Sequence, residues 1–182
     1  MSKVLVISDT HRNIAHVVDI INKIQPHGLK AIIHCGDNRE DAQKLQSLYP
    51  ELAVYGVCGN CDSMAYGEEV SKVITLENVN FFVTHGHRHS IKWGDYEELV
   101  SDTLAHEAQV ALCGHSHSAY LNKIQGILVM NPGSISMPRD YPYPSYGIIE
   151  IGKGQVKESS IMQITYTGQI AIHPATYQNR FQ

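Results

Sequence analysis

The chain has 182 residues, 43% hydrophobic and 18% charged, which suits a single ordinary globular domain and excludes a disordered one. Its net charge of −4 gives no general attraction to nucleic acid or to an anionic membrane. No apolar run approaches the roughly 18 residues of a membrane helix, and Met1-Ser2-Lys3 leads straight into a strand, so a cytosolic protein with four reduced cysteines is expected.

Val4 to Ile7 is a continuous aliphatic run suited to a strand covered on both faces. Ile14, Val17, Val18, Ile21 and Ile24 then recur at helical spacing, with Asn13 as the N-cap and Pro26-His27-Gly28 as the stop. Ala31-Ile32-Ile33 predicts a second buried strand. A second helix presents Ala42, Leu45, Leu48 and Tyr49 and closes at Pro50, and Leu52 to Val57 is a third strand. This β-α-β-α-β order implies parallel pairing with right-handed crossovers.

The pattern then changes. Lys72 to Leu76 and Val79 to Thr84 flank Glu77-Asn78 as an antiparallel hairpin. A helix from about Tyr96 to Glu107 turns Leu99, Val100, Thr103 and Leu104 inward, and Val110 to Cys113 is a short buried strand. Ala119 to Ile124 and Ile127 to Met130 pair around Gln125-Gly126, and Tyr146 to Ile151 and Gln155 to Ile164 around Gly152-Lys153-Gly154. Residues 134–145, with three prolines, predict an irregular loop. Thr165 to Gln182 is mixed in pattern, an extra strand and a tail at most. The simplest architecture is a four-layer α/β/β/α sandwich of two mixed sheets flanked by helices, one domain over 1–182 with its core at about 4–164 and a tail at 165–182.

Five apolar runs close on polar clusters: Asp9-Thr10-His11, Gly36-Asp37-Asn38, Gly59-Asn60-Cys61-Asp62, Thr84-His85-Gly86-His87 and Gly114-His115-Ser116-His117. Open α/β sheets place their ligands beyond the carboxyl ends of strands. A Gly-Asp pair alone is usually a turn; five clusters of carboxylate, imidazole and amide are not. They are expected to meet around two metal ions. A two-metal site needs a ligand that touches both ions, which a carboxylate can do and a single imidazole nitrogen cannot. Asp37 is the bridging candidate. Asp9, His11 and His117 would complete one ion's shell, and Asn60, His85 and His115 the other. Water between the ions would ionise near neutral pH and serve as the nucleophile. Gly36, Gly59, Gly86 and Gly114 let the backbone approach closely.

This ordered set, Asp9-x-His11, Gly36-Asp37, Gly59-Asn60-Cys61-Asp62, His85-Gly86-His87, Gly114-His115-x-His117 and Asn131-Pro132-Gly133-Ser134, resembles the calcineurin-like metallophosphoesterases, specifically the small YfcE-type phosphodiesterases. The resemblance spans roughly residues 4–164. It implies the sandwich fold, the same ligand assignment and a dinuclear centre of divalent ions, manganese first, with nickel, zinc or iron as alternatives. It also implies hydrolysis of a small phosphodiester.

Many larger members carry His where Cys61 stands, and that His commonly assists catalysis, so the proton donor is open between Cys61 and His87. Cys61, with an ordinary pKa of about 8.5, would donate a proton, ionise beside a dication or simply pack. The catalytic candidates are thus Asp37, Asn60, Cys61 and His87, with Asn60, His87 and Arg139 for substrate binding. Arg88 and Arg139 are more often surface residues than phosphate grips. Asn131 and Ser134 shape the turn beneath the site or support it. His16, His27, His34, His89, His106 and His173 read as ordinary.

Cys58-Gly59-Asn60-Cys61 spells a CxxC pair, but a strand precedes it and Met64-Ala65-Tyr66-Gly67 is a weak helix start, unlike a thioredoxin-type motif. The alternative to an enzyme is a non-catalytic scaffold like the retromer subunit of this fold, whose metal site is degraded. Here all seven candidate ligands are present. Tyr141, Tyr143 and Tyr146 leave room for a partner surface or a homo-oligomer contact.

Overall fold

The computed structural model describes residues 1–63 and 69–177. The weak helix start at Met64 to Gly67 and the last five residues of the tail lie outside them.

The first half is β1 (Ser2–Ile7), α1 (Ala15–Ile24), β2 (Leu29–His34), α2 (Arg39–Leu48) and β3 (Ala53–Gly56). β1, β2 and β3 pair in parallel. The second half is β4 (Ser71–Leu76), β5 (Val79–Thr84), α3 (Glu97–Ala105), β6 (Val110–Leu112), β7 (Ala119–Ile124), β8 (Ile127–Pro132), β9 (Ser145–Gly152) and β10 (Gln155–Ile164). The C-terminal stretch adds the short strand β11 (Ile170–Ile172) and a one-turn 3-10 helix at Pro174–Thr176. The strands form a six-stranded sheet ordered β11-β10-β9-β1-β2-β3 and a five-stranded sheet ordered β4-β5-β6-β8-β7. Both are mixed: β9 runs antiparallel to β1, while β5, β6 and β8 are mutually parallel.

Strand alternation builds the layers. Val4, Val6, Ala31 and Ile33 point between the sheets and meet Phe81, Val83, Val110 and Leu112. Their neighbours Leu5, Ile7 and Ile32 point outward to Val17, Ile20 and Ile21 of α1 and Leu45 of α2. On the far side, Phe82, Ala111 and Val129 receive Leu99 and Val100 of α3. Each fully buried aliphatic side chain of this kind contributes about 1.5–3 kcal/mol. The result is two mixed sheets face to face with helices outside.

Three local expectations need correction. Leu48 and Leu104 are 58% and 45% exposed, because each falls on the last turn of its helix where the sheet no longer covers it. Asn13 is not the N-cap; α1 begins one residue later, after Ile14, and the Asn13 side chain accepts the Ala15 N–H at 3.3 Å. No helix among the described residues is long and apolar enough to cross a membrane.

Candidate metal centre

The polar clusters leave the carboxyl ends of β1, β2, β3, β5 and β6, which lie on facing sheets and all end on the same side of the sandwich. A strand continued in register would send alternate side chains to opposite faces. The chain breaks that alternation with left-handed residues: φ is +55° at Asp9, +45° at His11, +59° at Asp37, +66° at His115 and +58° at His117. Each such non-glycine residue stores on the order of 1 kcal/mol. The His117 ring thereby meets Asp9 and His11 of the facing sheet, while the His115 ring packs on His85 of its own.

Donor atoms of Asp9, His11, Asp37 and His117 all lie within 4.8 Å of one another. His117 Nε2 is 3.1 Å from Asp9 Oδ1 and 3.3 Å from His11 Nε2. On the other side of Asp37, His85 Nε2 stands 3.3 Å from Asp37 Oδ1, 3.1 Å from Asn60 Oδ1 and 4.0 Å from Asp9 Oδ1. The His115 ring packs edge-on against that of His85, centroids 5.2 Å apart. Of the seven expected ligands, Asp9, His11, Asp37 and His117 thus form one group, and His85 and Asn60 adjoin Asp37 in a second, with the His115 ring against His85.

The protonation pattern points to a cation. His85 Nδ1 is 2.8 Å from the Cys35 carbonyl and His117 Nδ1 is 2.7 Å from the Met137 carbonyl, so each ring is assigned its proton on Nδ1. A neutral ring then offers only a lone pair at Nε2, and that lone pair faces carboxylate and amide oxygens. Acceptors are aimed at acceptors. Asp9 Oδ1, in a fully buried side chain, has no hydrogen-bond partner among the described residues, a costly state for a charged oxygen unless a positive ion completes it. The donor set fits a divalent metal of the kind bound by nitrogen and oxygen ligands.

Residues 2–154 match the calcineurin-like phosphoesterase superfamily domain. The chain belongs to that family. It is 34% identical over 166 residues to a probable metallophosphoesterase of Mycoplasma genitalium, covering 88% of this chain and 94% of the relative. It is 26% identical over 171 residues to a phosphodiesterase of Methanocaldococcus jannaschii, covering 86% and 97%. Among solved structures, Vps29 of Entamoeba histolytica complexed with zinc is similar, with TM-score 0.69, 25% identity and 94% and 97% of the two chains covered.

In this calcineurin-like phosphoesterase chain the ligands are held from behind. Asp9 Oδ2 accepts from Ser8 Oγ at 2.5 Å and from the His115 N–H at 3.2 Å. Its main-chain carbonyl accepts from the hydroxyls of Ser134 and Ser136 at 2.9 and 2.8 Å. Asp37 Oδ1 accepts the Cys61 N–H at 2.9 Å. Asn131 Nδ2 donates to the Gly114 carbonyl at 2.7 Å and to Ser116 Oγ at 3.0 Å, fixing the His115 loop. Three glycines are required here: a Cβ on Gly36 would come within 2.7 Å of His85 Nδ1, and one on Gly59 or Gly114 would overlap Asp37 Oδ1 or Ser8 Oγ.

Burial pushes the Asp9 carboxyl up, but the neighbouring His117, His85 and Ser8 outweigh it and hold Asp9 below the usual range. Burial lowers His117, yet with no ion bound the Asp9 carboxylate outweighs burial and raises it, favouring a second proton on Nε2 that a bound cation would displace. Desolvation, with the His85 charge next, brings His115 down to about 4. His87 is lowered by the same two causes, and its buried Nδ1 has no partner among the described residues. The Asp37 carboxylate beside the Cys61 thiol, with desolvation second, pushes that thiol up to about 11.

Of the residues expected to act on substrate, Asn60 and Cys61 sit exposed at the rim, so Cys61 is not a packing residue. His87 is half-buried, its ring 5.6 Å from His85 and 6.3 Å from His115. Arg139 is exposed and its backbone N–H donates to the His117 carbonyl at 3.0 Å. Cys58, buried, and Cys61, exposed, are not joined by a disulfide.

His34, expected to be ordinary, is fully buried beneath the centre. Its Nδ1 accepts the Gly36 N–H at 3.1 Å, Nε2 lies 3.0 Å from Thr10 Oγ1, and that hydroxyl donates to Asp41 Oδ2 at 2.8 Å. Asp41 also accepts the Arg12 N–H at 2.9 Å, tying the His11 loop to α2. Asp62 accepts the N–H groups of Arg39 and Gly59 at 2.9 and 2.7 Å, tying the Asp37 and Asn60 loops together. Ser8, Thr10 and His34 each adjoin a motif already singled out, and a polar residue placed against a buried strand end was the available signal.

Proposed function

We propose that the chain is a dinuclear, metal-dependent phosphoesterase that hydrolyses a small phosphodiester, with Asp37 as the carboxylate shared by both ions. The observation that carries this is the pair of acceptor clusters meeting at Asp37, one of them containing the buried Asp9 Oδ1 that makes no hydrogen bond among the described residues. Asp9, His11 and His117 would hold one ion and Asn60, His85 and His115 the other, with manganese first and nickel, zinc or iron as alternatives, as the resemblance to the family implies. When bound, such ions polarise phosphoryl oxygens and lower the pKa of water.

The chain's own groups set the rest. Asn60, neutral and at the rim, would orient a phosphoryl oxygen without adding negative charge. With no ion bound, the Asp37 carboxylate raises the Cys61 thiol and burial lowers His87, so neither group is preset as a proton donor near pH 7. Esters whose leaving groups need little protonation should react best. A cleft of about 350 Å³ lined by Arg12, Asn38, Arg39, Cys61 and Asp62 opens beside the centre and gives one ester substituent room. The preference for a diester is supported by the phosphodiesterase among its relatives.

The test is hydrolysis of bis(p-nitrophenyl) phosphate and of p-nitrophenyl phosphate by chelator-stripped protein, before and after Mn²⁺ is restored. Diester turnover appearing only with metal is expected. A second reading, a metal-binding interaction protein of the same fold, is favoured by the likeness to Vps29. Demonstrated metal binding with no turnover in Mn²⁺, Ni²⁺ or Zn²⁺ would establish that reading instead.

A further inference from the structure

The C-terminal segment carries a histidine that no part of the catalytic proposal uses. His173 is fully buried, although it follows the short edge strand β11. Its backbone N–H donates to the Ile161 carbonyl at 2.8 Å, and Thr176 exchanges hydrogen bonds of 2.9 Å with the N–H and the carbonyl of Ile161. The 3-10 turn that follows packs on β10 of one sheet and on β7 of the other, closing the sandwich at this edge.

The ring is oriented. Nδ1 accepts the Ala175 N–H at 3.2 Å, capping the turn, so Nε2 is assigned the proton. That buried N–H makes no hydrogen bond among the described residues and is aimed at Asp140, 3.6 Å from Oδ2. The Tyr141 ring stands edge-on over it at 4.8 Å.

Asp140 lies on the loop that carries the His117 supports. Its Oδ2 accepts the Ala119 N–H at 2.7 Å, two residues past His117. Arg139 N–H donates to the His117 carbonyl at 3.0 Å, and the Met137 carbonyl receives His117 Nδ1 at 2.7 Å. Residues 137–140 thus grip His117 by its ring, its carbonyl and the chain just beyond it. His173 braces that grip from the side away from the metal centre.

We infer that His173, acting through Asp140, is a positioning residue for His117, and that the C-terminal segment sets the metal affinity of the His117 side of the centre. The inference rests on the reading of His117 as a metal ligand. Groups behind a metal-binding histidine commonly govern affinity by about 10- to 100-fold; His173 acts one contact further back, so the low end applies.

The decisive variant is His173→Asn, because Asn keeps an acceptor for the Ala175 N–H but is too short to reach Asp140. Mn²⁺ is titrated calorimetrically into chelator-stripped wild type, His173→Asn, Asp140→Ala, the double variant and His117→Ala. The last identifies the binding step that needs His117. Expected is a roughly 10-fold weaker affinity in that step alone for His173→Asn, with the metal-free melting temperature unchanged. The double variant should be no weaker than Asp140→Ala. Wild-type affinity in a folded His173→Asn protein would overturn the inference. So would equal weakening of both steps with a lowered melting temperature, or losses that add in the double variant. A wild type that takes up no Mn²⁺, Ni²⁺ or Zn²⁺ would instead remove the metal-centre reading, and this inference with it.

Discussion

At the ends of the strands away from the metal centre, the turns Glu77-Asn78, Gln125-Gly126 and Lys153-Gly154 close three hairpins, all with positive φ. At the opposite ends, Asp9, His11, Asp37, His115 and His117 adopt the same left-handed conformation. In the hairpins that conformation matches the strand twist, lies at the surface and serves pairing alone. At the centre it is held in place by buried hydrogen bonds to Asp9, Asp37 and Asp41, and it forces like partners together. The same backbone state, at a similar intrinsic cost per non-glycine residue, serves strand pairing at one end and the convergence of polar side chains at the other.

The sharpest test of this contrast is Asp37→Ala. Loss of the shared carboxylate should reduce diester turnover roughly a thousandfold or more with the fold intact, as circular dichroism would report. Retained turnover in metal-reconstituted variant protein would break the assignment. Next is Asp9→Asn, expected to weaken Mn²⁺ binding by about 100-fold. A lower metal-free melting temperature would show that Asp9 stabilises the fold directly.

A third test uses pH. Burial drives His34 down to about 4, against an ordinary 6.5 when unfolded. Its neutral form is the one that accepts the Gly36 N–H. The stability this provides is fully present above pH 6.5 and is lost as pH falls through 4, amounting to about 3 kcal/mol. Urea unfolding at pH 7 and pH 4 should show that difference in wild type and a smaller one in His34→Gln. The smallest effect belongs to the hairpin end: Gln125→Asn gives the Asn-Gly pair that such turns prefer and should raise stability by about 0.5 kcal/mol with turnover unchanged. A measurable change in turnover would mean that the two ends are coupled.

The layered fold was legible because its signals are local. Alternation in Val4 to Ile7, helical spacing from Ile14 to Ile24 and two-residue turn chemistry each report on a short window. The ligand candidates were legible because each closes an apolar run. His34 and His173 were not, since an imidazole in an apolar segment looks alike whether it is solvated or sealed, and only tertiary packing decides which. The left-handed residues escaped for a related reason: Asp and His carry no φ signature as glycine does. Leu48 and Leu104 misled because periodicity marks a face of the helix without marking where the sheet beneath it ends.

The two serine hydroxyls on the Asp9 carbonyl come from the loop at 134–136, 125 and 127 residues along the chain. A chain growing from its amino end therefore presents Asp9, His11 and Asp37 long before the segment that secures them has been made. Closing so long a loop is entropically expensive and comes late in folding. On the proposed metal-centre reading, uptake of an ion by the finished geometry would follow docking of that loop.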